Sequence, residues 1–211
     1  MRLWVGGVYD KTTLNTLSNI DVRNIIFDFR PRSFNFVQEY KMQEILENEI
    51  HENSQIGLCF ESEKAFIIDK IFNDLENKSY ITKEQILLFL EGIIEKATRE
   101  HYLYYWKYDQ RMDLNDLLQD DNCLGIVLDQ VLLDSLNQSQ QLYQFMSKLI
   151  KSNKEIVVES SKLPTGLLDF FKIDSLILPL NKEWEVGYRQ VDQDLLDDYL
   201  RRLQAAAGAI R

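Results

Sequence analysis

The sequence predicts a single (β/α)8 TIM barrel, eight parallel strands ringed by helices, and three observations lead there. Short apolar runs of strand character alternate with segments of helical periodicity along the chain, which implies a parallel sheet with right-handed crossovers. The alternation repeats in about eight units spaced roughly 20 to 32 residues apart, the number that closes a compact barrel. The 211 residues include only three prolines and eight glycines, so no low-complexity linker divides them, and a composition 45% hydrophobic and 27% charged suits one sizeable core. A doubly wound open sheet is the rival that periodicity alone leaves standing. The barrel domain is placed at residues 1–204, with 205–211 as a C-terminal tail.

Each unit has its own signature. Leu3-Trp4-Val5 is an apolar run closed by Gly6-Gly7, the pattern of a strand ending in a tight turn, and Asp10 to Leu17 carries a short helix. Between Val22 and Phe29, the side chains of Ile25, Phe27 and Phe29 share one face and those of Asn24, Ile26 and Asp28 the other. Glu39 to Ile50 follows as a helix, with Met42, Ile45, Leu46 and Ile50 on one stripe. Gln55 to Glu61 reads as strand and Ser62 to Leu75 as helix, with Ser62 as its N-cap. The fourth unit reads as a short strand, Ser79 to Thr82, and a long helix from Lys83 to about Glu100. His101 to Tyr108 is rich in β-forming aromatics, and Asp113 to Leu118 is a short helix. Cys123 to Leu128 is an apolar strand, after which a helix runs through Leu136 to Lys151. Lys154 to Ser160 and Ile173 to Leu180 are the last strands; Leu163 to Phe171, with Pro164 near its start, and Asp194 to Gln204 supply their helices.

Charge and composition remove several function classes. A net charge of −10 offers no basic field to displace counterions from phosphates, so nucleic acid is excluded as a partner. The same charge disfavours an anionic membrane surface, and the longest apolar runs, such as Ile86 to Leu90, fall far short of a bilayer. The opening MRLWVGGVYDK lacks the make-up of a secretory signal. Cys59 and Cys123 sit in apolar segments as small core residues, so a reducing cytoplasm is the expected compartment and a disulfide is not expected.

Four segments carry a resemblance. Phe27-Asp28-Phe29-Arg30-Pro31-Arg32-Ser33-Phe34-Asn35-Phe36-Val37 follows the pattern F-x-F-x-P-x-S-x-R-x-V except at its arginine, which is Asn35. Ile56-Gly57-Leu58-Cys59-Phe60 is similar to V-G-V-F, Val127-Leu128-Asp129 to L-L-D, and Gly187-Tyr188-Arg189-Gln190 to G-x-K-D. In these segments, and unit by unit over essentially the whole chain, the sequence resembles the phosphoribosylanthranilate isomerases, compact barrels of tryptophan biosynthesis. The resemblance implies an Amadori isomerisation of N-(5'-phosphoribosyl)anthranilate, with no cofactor and no metal. In that reaction a general acid protonates the ribose ring oxygen and a general base takes the proton from the neighbouring carbon. Asp129 stands where the family has its acid. By the same resemblance Gly6, Arg30, Arg32, Ser33, Asn35, Ser160 and Ser161 are expected to hold a small sugar-phosphate ligand, in a protein that is a monomer or homodimer.

The chain also departs from the family. The family's base is a cysteine in K-I-C-G at the end of the first strand; here Leu3-Trp4-Val5-Gly6-Gly7 puts Val5 there, or Gly6 one register over, and no cysteine precedes Cys59. A general base contributes about 10²–10⁴-fold in rate. The family's A-G-G and S-G after strands seven and eight become Glu159-Ser160-Ser161 and Leu178-Pro179-Leu180. Proline donates no N–H and Glu159 repels a dianion, which leaves the two serine hydroxyls as donors. The family's Q-L-H-G at strand four becomes Tyr80-Ile81-Thr82-Lys83. The isomerisation is therefore expected to be very weak or absent. The alternatives are a non-catalytic barrel that binds a ligand or a partner, and an enzyme acting on a different sugar phosphate. A mouth filled by Trp4, Phe34 or Tyr80 would mark a lost site.

Other constellations are weaker. Asp28, Glu61, Asp109, Asp129 and Glu159, with Lys107, fall at strand ends, where hard oxygens suit a divalent cation. Their spacing is unordered and includes no histidine, so a solvated polar rim is the expected reading. His51 and His101 fall at the end of a helix and the start of a strand and are expected on the surface. HYLYYWKY, residues 101–108, suits packing within a sheet better than stacking on a planar ligand. The acids and bases between Asp192 and Arg202 follow the helix macrodipole.

Overall fold

The computed structural model describes residues 1–47, 53–78, 81–93, 95–110, 113–162 and 164–209. Its strands are β1 (Arg2–Gly6), β2 (Asn24–Asp28), β3 (Gln55–Glu61), β4 (Ile86–Glu91), β5 (Tyr104–Lys107), β6 (Cys123–Asp129), β7 (Glu155–Glu159) and β8 (Ser175–Pro179). They pair in sequence order, all parallel, and β1 closes the ring by pairing with both β2 and β8, which removes the open-sheet alternative. Helices α1 (Lys11–Asn19), α2 (Glu39–Leu46), α3 (Ala65–Glu76), α4 (Lys96–His101), α5 (Leu114–Gln119), α6 (Gln130–Gln138), α7 (Leu142–Lys151) and α8 (Thr165–Leu168) return the chain between strands. A hairpin of β9 (Glu185–Gly187) and β10 (Gln190–Val191) precedes α9 (Gln193–Ala209), which continues past residue 204. Among the described residues no helix is long and apolar enough to cross a membrane.

The period-two alternation of each strand sorts its side chains between two layers. Val5, Ile25, Phe27, Leu58, Leu88 and Leu128 point outward into the layer shared with the helices. Trp4, Ile26, Leu87, Phe89, Tyr105, Val127, Val157 and Ile177 fill the inside. Trp4 is fully buried and meets Phe89 edge-on at 5.1 Å between ring centroids. The barrel is thus packed through its middle, and function is confined to what lies above that layer. At the N-terminal end, Arg2 pairs with Glu155, and the Tyr105 hydroxyl donates to Glu155 at 2.7 Å, clasping β1, β5 and β7.

Several elements differ from the sequence reading. The fourth strand is Ile86–Glu91, inside the segment expected to be a long helix; Ile81 and Thr82 lie outside any strand, and Ser79 and Tyr80 lie outside the described residues. A parallel strand covered on both faces shows no polar alternation, so ILLFLE looks like the apolar core of a helix. Lys83–Gln85 is a single 3-10 turn, closed by a capping box between Thr82 and Gln85. The comparison of Tyr80-Ile81-Thr82-Lys83 with the family's fourth-strand motif therefore falls away. Ser62 does not cap α3: it has φ 59, and its hydroxyl accepts from the Ile93 amide at 3.1 Å. The helix expected through Leu136 to Lys151 is two, broken where the polar residues Ser139 to Gln141 bring Gln140 to φ 58. Glu39–Leu46 ends before Ile50, which with His51 lies outside the described residues, as does Leu163. The aromatics of β5 are buried packing residues.

Candidate ligand site at the barrel mouth

Above the Phe89 layer, on the side where the strands end, lies a cavity of about 470 Å³. Its floor is apolar, formed by Ile26, Phe89, Val127 and Ile177 with Cys59 among them. Its wall carries Asp28, Arg30, Glu91, Lys107 and Glu159, and the loops after β2 and β8 add Asn35 and Lys182. Phe34 lies at the rim without filling the mouth, with the Lys182 ammonium 5.5 Å from its ring. Trp4 sits below and does not line the cavity.

The loop after β2 shows how the local sequence builds this wall. Asp28 is the last residue of β2 and only 4% exposed, so its charge must be met. One oxygen accepts from the Arg30 amide at 3.0 Å and Nε at 2.9 Å; the other accepts from Arg30 Nη2 and Ser33 Oγ, each at 2.6 Å. Arg30 Nη1 reaches across to Glu91 Oε2 at 2.5 Å. The chain then folds back, with the Val37 amide on the Asp28 carbonyl at 2.8 Å. Burial alone would lower the pKa of Arg30, but the hydrogen bonds and charge of Asp28, with Glu91, raise it. All three guanidinium nitrogens are committed to carboxylates. Arg30 is an internal strut, and Ser33 serves the same carboxylate.

Asn35 takes a different task from the one the resemblance implies. Its Nδ2 donates to the Leu180 carbonyl, tying the β2 loop to the chain leaving β8. Gly7 makes room for it: at φ +80 this residue packs so closely that a Cβ would collide with the Asn35 amide. Asn35 is 6% exposed, and its Oδ1 has no hydrogen-bond partner among the described residues.

A second cation stands across the mouth. Lys107 ends β5 and pairs with Glu159 Oε2 at 2.7 Å, with Asp129 Oδ2 at 3.8 Å. Burial would lower its pKa, yet Glu159 and Glu91 raise it, so it is a firmly held ammonium rather than a neutral amine. Cys59 faces this network from β3, and burial pushes its thiol well up despite the opposing pull of Arg30. A neutral thiol so placed does not replace a missing base. Cys59 and Cys123 are both free.

The residues singled out by the sequence divide into two sets. Gly6, Arg30, Ser33 and Asn35 line the cavity, as do Lys107 and Glu159. Gly6 rather than Val5 is the β1 position that faces it, so the strand end brings no side chain there. Arg32 is exposed and outside the cavity. Asp129 also stands outside: it is the N-cap of α6, with Oδ1 accepting from the Leu132 amide at 2.8 Å. Ser160 and Ser161 line a separate surface depression with Gln130 and Asn137. The Ser160 amide is spent on the Ile177 carbonyl, and the Leu180 amide on that of Gly6, at 3.0 and 2.9 Å. Arg189 turns the hairpin, donates to the Phe36 carbonyl and lies 5.1 Å from the Tyr9 ring. Among the described residues no group of His, Cys, Asp and Glu is arranged to hold a metal ion. His101 closes α4 on the surface. Glu91 was missed because its strand was read as helix. Its signal was the likeness of Leu90-Glu91-Gly92 to Phe60-Glu61-Ser62, which the sheet register pairs residue for residue at Glu61 and Glu91.

Fold and site together define a class: a closed (β/α)8 barrel with a ligand-sized cavity at the C-terminal ends of its strands. No protein-family model matches the chain. A search of characterised protein sequences finds no match either. Among solved structures, the phosphoribosyl anthranilate isomerase of Thermus thermophilus superposes with a TM-score of 0.71 at 11% identity, over 98% of this chain and 100% of that one. An isomerase of the same name, in complex with reduced 1-(o-carboxyphenylamino)-1-deoxyribulose 5-phosphate, gives 0.69 at 13% identity, over 97% and 99%. An HpcH/HpaI aldolase of Desulfitobacterium hafniense gives 0.60 at 6% identity, over 98% and 92%. The chain therefore has the fold of the phosphoribosylanthranilate isomerases over nearly its whole length, a fold that also serves other chemistry.

Proposed function

We propose that this protein is an isomerase-like barrel that binds a small molecule at its mouth, and that it performs the Amadori isomerisation of N-(5'-phosphoribosyl)anthranilate very weakly or not at all. The observation that carries the reading is Gly6: the β1 position facing the cavity offers no base, and the thiol nearest to hand, Cys59, is held neutral. Losing a general base alone costs about 10²–10⁴-fold. The engagement of Arg30 by Asp28 and Glu91 supports the same reading, because three of its five N–H groups and its charge are already taken by carboxylates. Two free cysteines fit the reducing cytoplasm proposed for it.

The test is turnover. Purified protein incubated with N-(5'-phosphoribosyl)anthranilate is expected to consume it no faster than buffer. A saturable rate that disappears in Asp129→Asn would overturn the reading and return the protein to tryptophan biosynthesis.

A further inference from the structure

The charges that line the cavity come close to cancelling. Three cations, Arg30, Lys107 and Lys182, stand among four carboxylates, those of Asp28, Glu91, Glu159 and Glu183. On the wall they are matched to one another: Arg30 to Asp28 and Glu91, and Lys107 to Glu159. Lys182 and Glu183 are neighbours on an exposed turn at the rim, where water weakens the field of both. An anion placed at Arg30 or Lys107 also faces the carboxylates that hold them. A cation placed at Glu91 or Glu159 also faces the guanidinium or the ammonium. For either sign of charge, attraction and repulsion offset.

What the pairs leave over is hydrogen bonding, and of both kinds. Arg30 commits three of its five N–H groups, so one on each terminal nitrogen remains. The Lys107 ammonium carries three N–H groups, more than its pair with Glu159 uses. The same pairs engage Oε2 of Glu91 and Oε2 of Glu159 and leave Oε1 of each as an acceptor. Arg30 and Glu91 both act on Lys107, so the two pairs form one wall. A hydroxyl group donates and accepts at once, and it is the group that uses such a wall in full. Below it the floor is hydrocarbon, formed by Ile26, Phe89, Val127 and Ile177. At about 470 Å³ the space is that of a small-molecule site.

We propose that the mouth binds an uncharged polyol with an apolar body, its hydroxyl groups on the paired side chains of Arg30, Glu91, Lys107 and Glu159 and its body on the floor. The inference rests on the reading of the mouth as a ligand site and names the chemical class of the ligand. Charged analogues of either sign keep the floor contacts and gain little from a wall whose charges are already matched. Because no net charge is exchanged on binding, added salt changes the affinity little.

Four probes with the same phenylpropane body test this: 3-phenylpropane-1,2-diol, 3-phenyllactate, phenylalaninol, and 1-methoxy-3-phenylpropane, which has no hydroxyl group. Each is titrated into the full chain near neutral pH, where the acid and the amine carry their charges, with amide chemical shifts followed at Gly6, Gly7 and Cys59. The diol is expected to saturate those shifts with a Kd about tenfold or more below that of each of the others. Glu159→Gln takes the partner from Lys107, so the gap between the diol and 3-phenyllactate is expected to narrow to about threefold or less. Circular dichroism checks that this variant is folded, and the comparison of the four probes on the unaltered protein stands without it. If the ether binds as well as the diol, or either charged probe binds more tightly, the mouth is still a ligand site but the polyol assignment fails. A gap unchanged in the folded variant also overturns it. If none of the four moves those amides, the polyol assignment and the reading of the mouth as a ligand site fail together.

Discussion

The two ends of the barrel both carry charged clusters, and they are built to different ends. At the N-terminal end one cation, Arg2, meets one carboxylate, Glu155, and one phenol, Tyr105. The charges cancel and the side chains of the pair are 39% and 36% exposed, so the cluster is a clasp between strands. At the mouth three cations, Arg30, Lys107 and Lys182, stand among four carboxylates, Asp28, Glu91, Glu159 and Glu183, around a cavity, and the most deeply placed of these carboxylates, Asp28, is 4% exposed. Burial, and the space beside the charges, separate the two ends.

Substitutions can break or sharpen this contrast. The largest effect is expected at the mouth, where Arg30→Met strips a buried carboxylate of its partner. Loss of one member of such a pair costs about 3–5 kcal/mol, read by urea unfolding at neutral pH. A loss below about 1 kcal/mol, the scale of an exposed pair, would show that Asp28 does not depend on Arg30. Gly7→Ala comes next, at about 2–3 kcal/mol, because alanine is strained at φ +80 and its methyl meets the Asn35 amide. The same variant should displace Asn35 and alter ligand shifts at the mouth while leaving the clasp unchanged.

At the other end, Tyr105→Phe removes two hydrogen bonds, one donated to Glu155 and one accepted from Arg2, and should cost about 1–2 kcal/mol at neutral pH. Its pH dependence is more telling. Burial first, and then the bond to Glu155, hold the Tyr105 phenol above its ordinary value of 10.0. As pH rises past 10.0 the unfolded chain therefore loses this proton before the folded one does, and stability falls. The contribution is about 1.4 kcal/mol per pH unit, and the fall of stability above pH 10.0 should be shallower in Tyr105→Phe by that amount. Arg32→Ala is expected to do least: the side chain is exposed and outside the cavity, so stability should stay within about 0.5 kcal/mol. A clear loss of stability there would show that Arg32 carries a contact its exposure does not suggest.

Much of the architecture is legible in the sequence because parallel strands and their helices announce themselves by spacing. Phe27-Asp28-Phe29 has its period-two pattern, and β2 ends where that pattern meets the Arg30-Pro31 turn. Ile86–Glu91 is illegible for the opposite reason: buried on both faces, it has no pattern to break. The site was half legible. Gly6 and Asn35 mark what the family pattern lacks here, and both line the cavity. Arg30 invites an anion-binding reading until Asp28 and Glu91 are seen around it, and Glu91 is 61 residues away along the chain. Pairing between the end of β2 and the end of β4, two strands on in sequence order, is invisible to any local window. Asp129 illustrates the remaining ambiguity, because a strand-end aspartate and a helix N-cap are the same residue type at the same place.

The mouth either accepts or refuses a phosphorylated anion. The direct measurement is calorimetric titration of the unaltered protein with reduced 1-(o-carboxyphenylamino)-1-deoxyribulose 5-phosphate, the compound found in one of the isomerases that share this fold. No saturable heat is expected, because Arg30 and Lys107 are already outnumbered by carboxylates. Saturable binding that is lost in Arg30→Met, with that variant shown to be folded, would contradict the account and make the mouth an anion site after all.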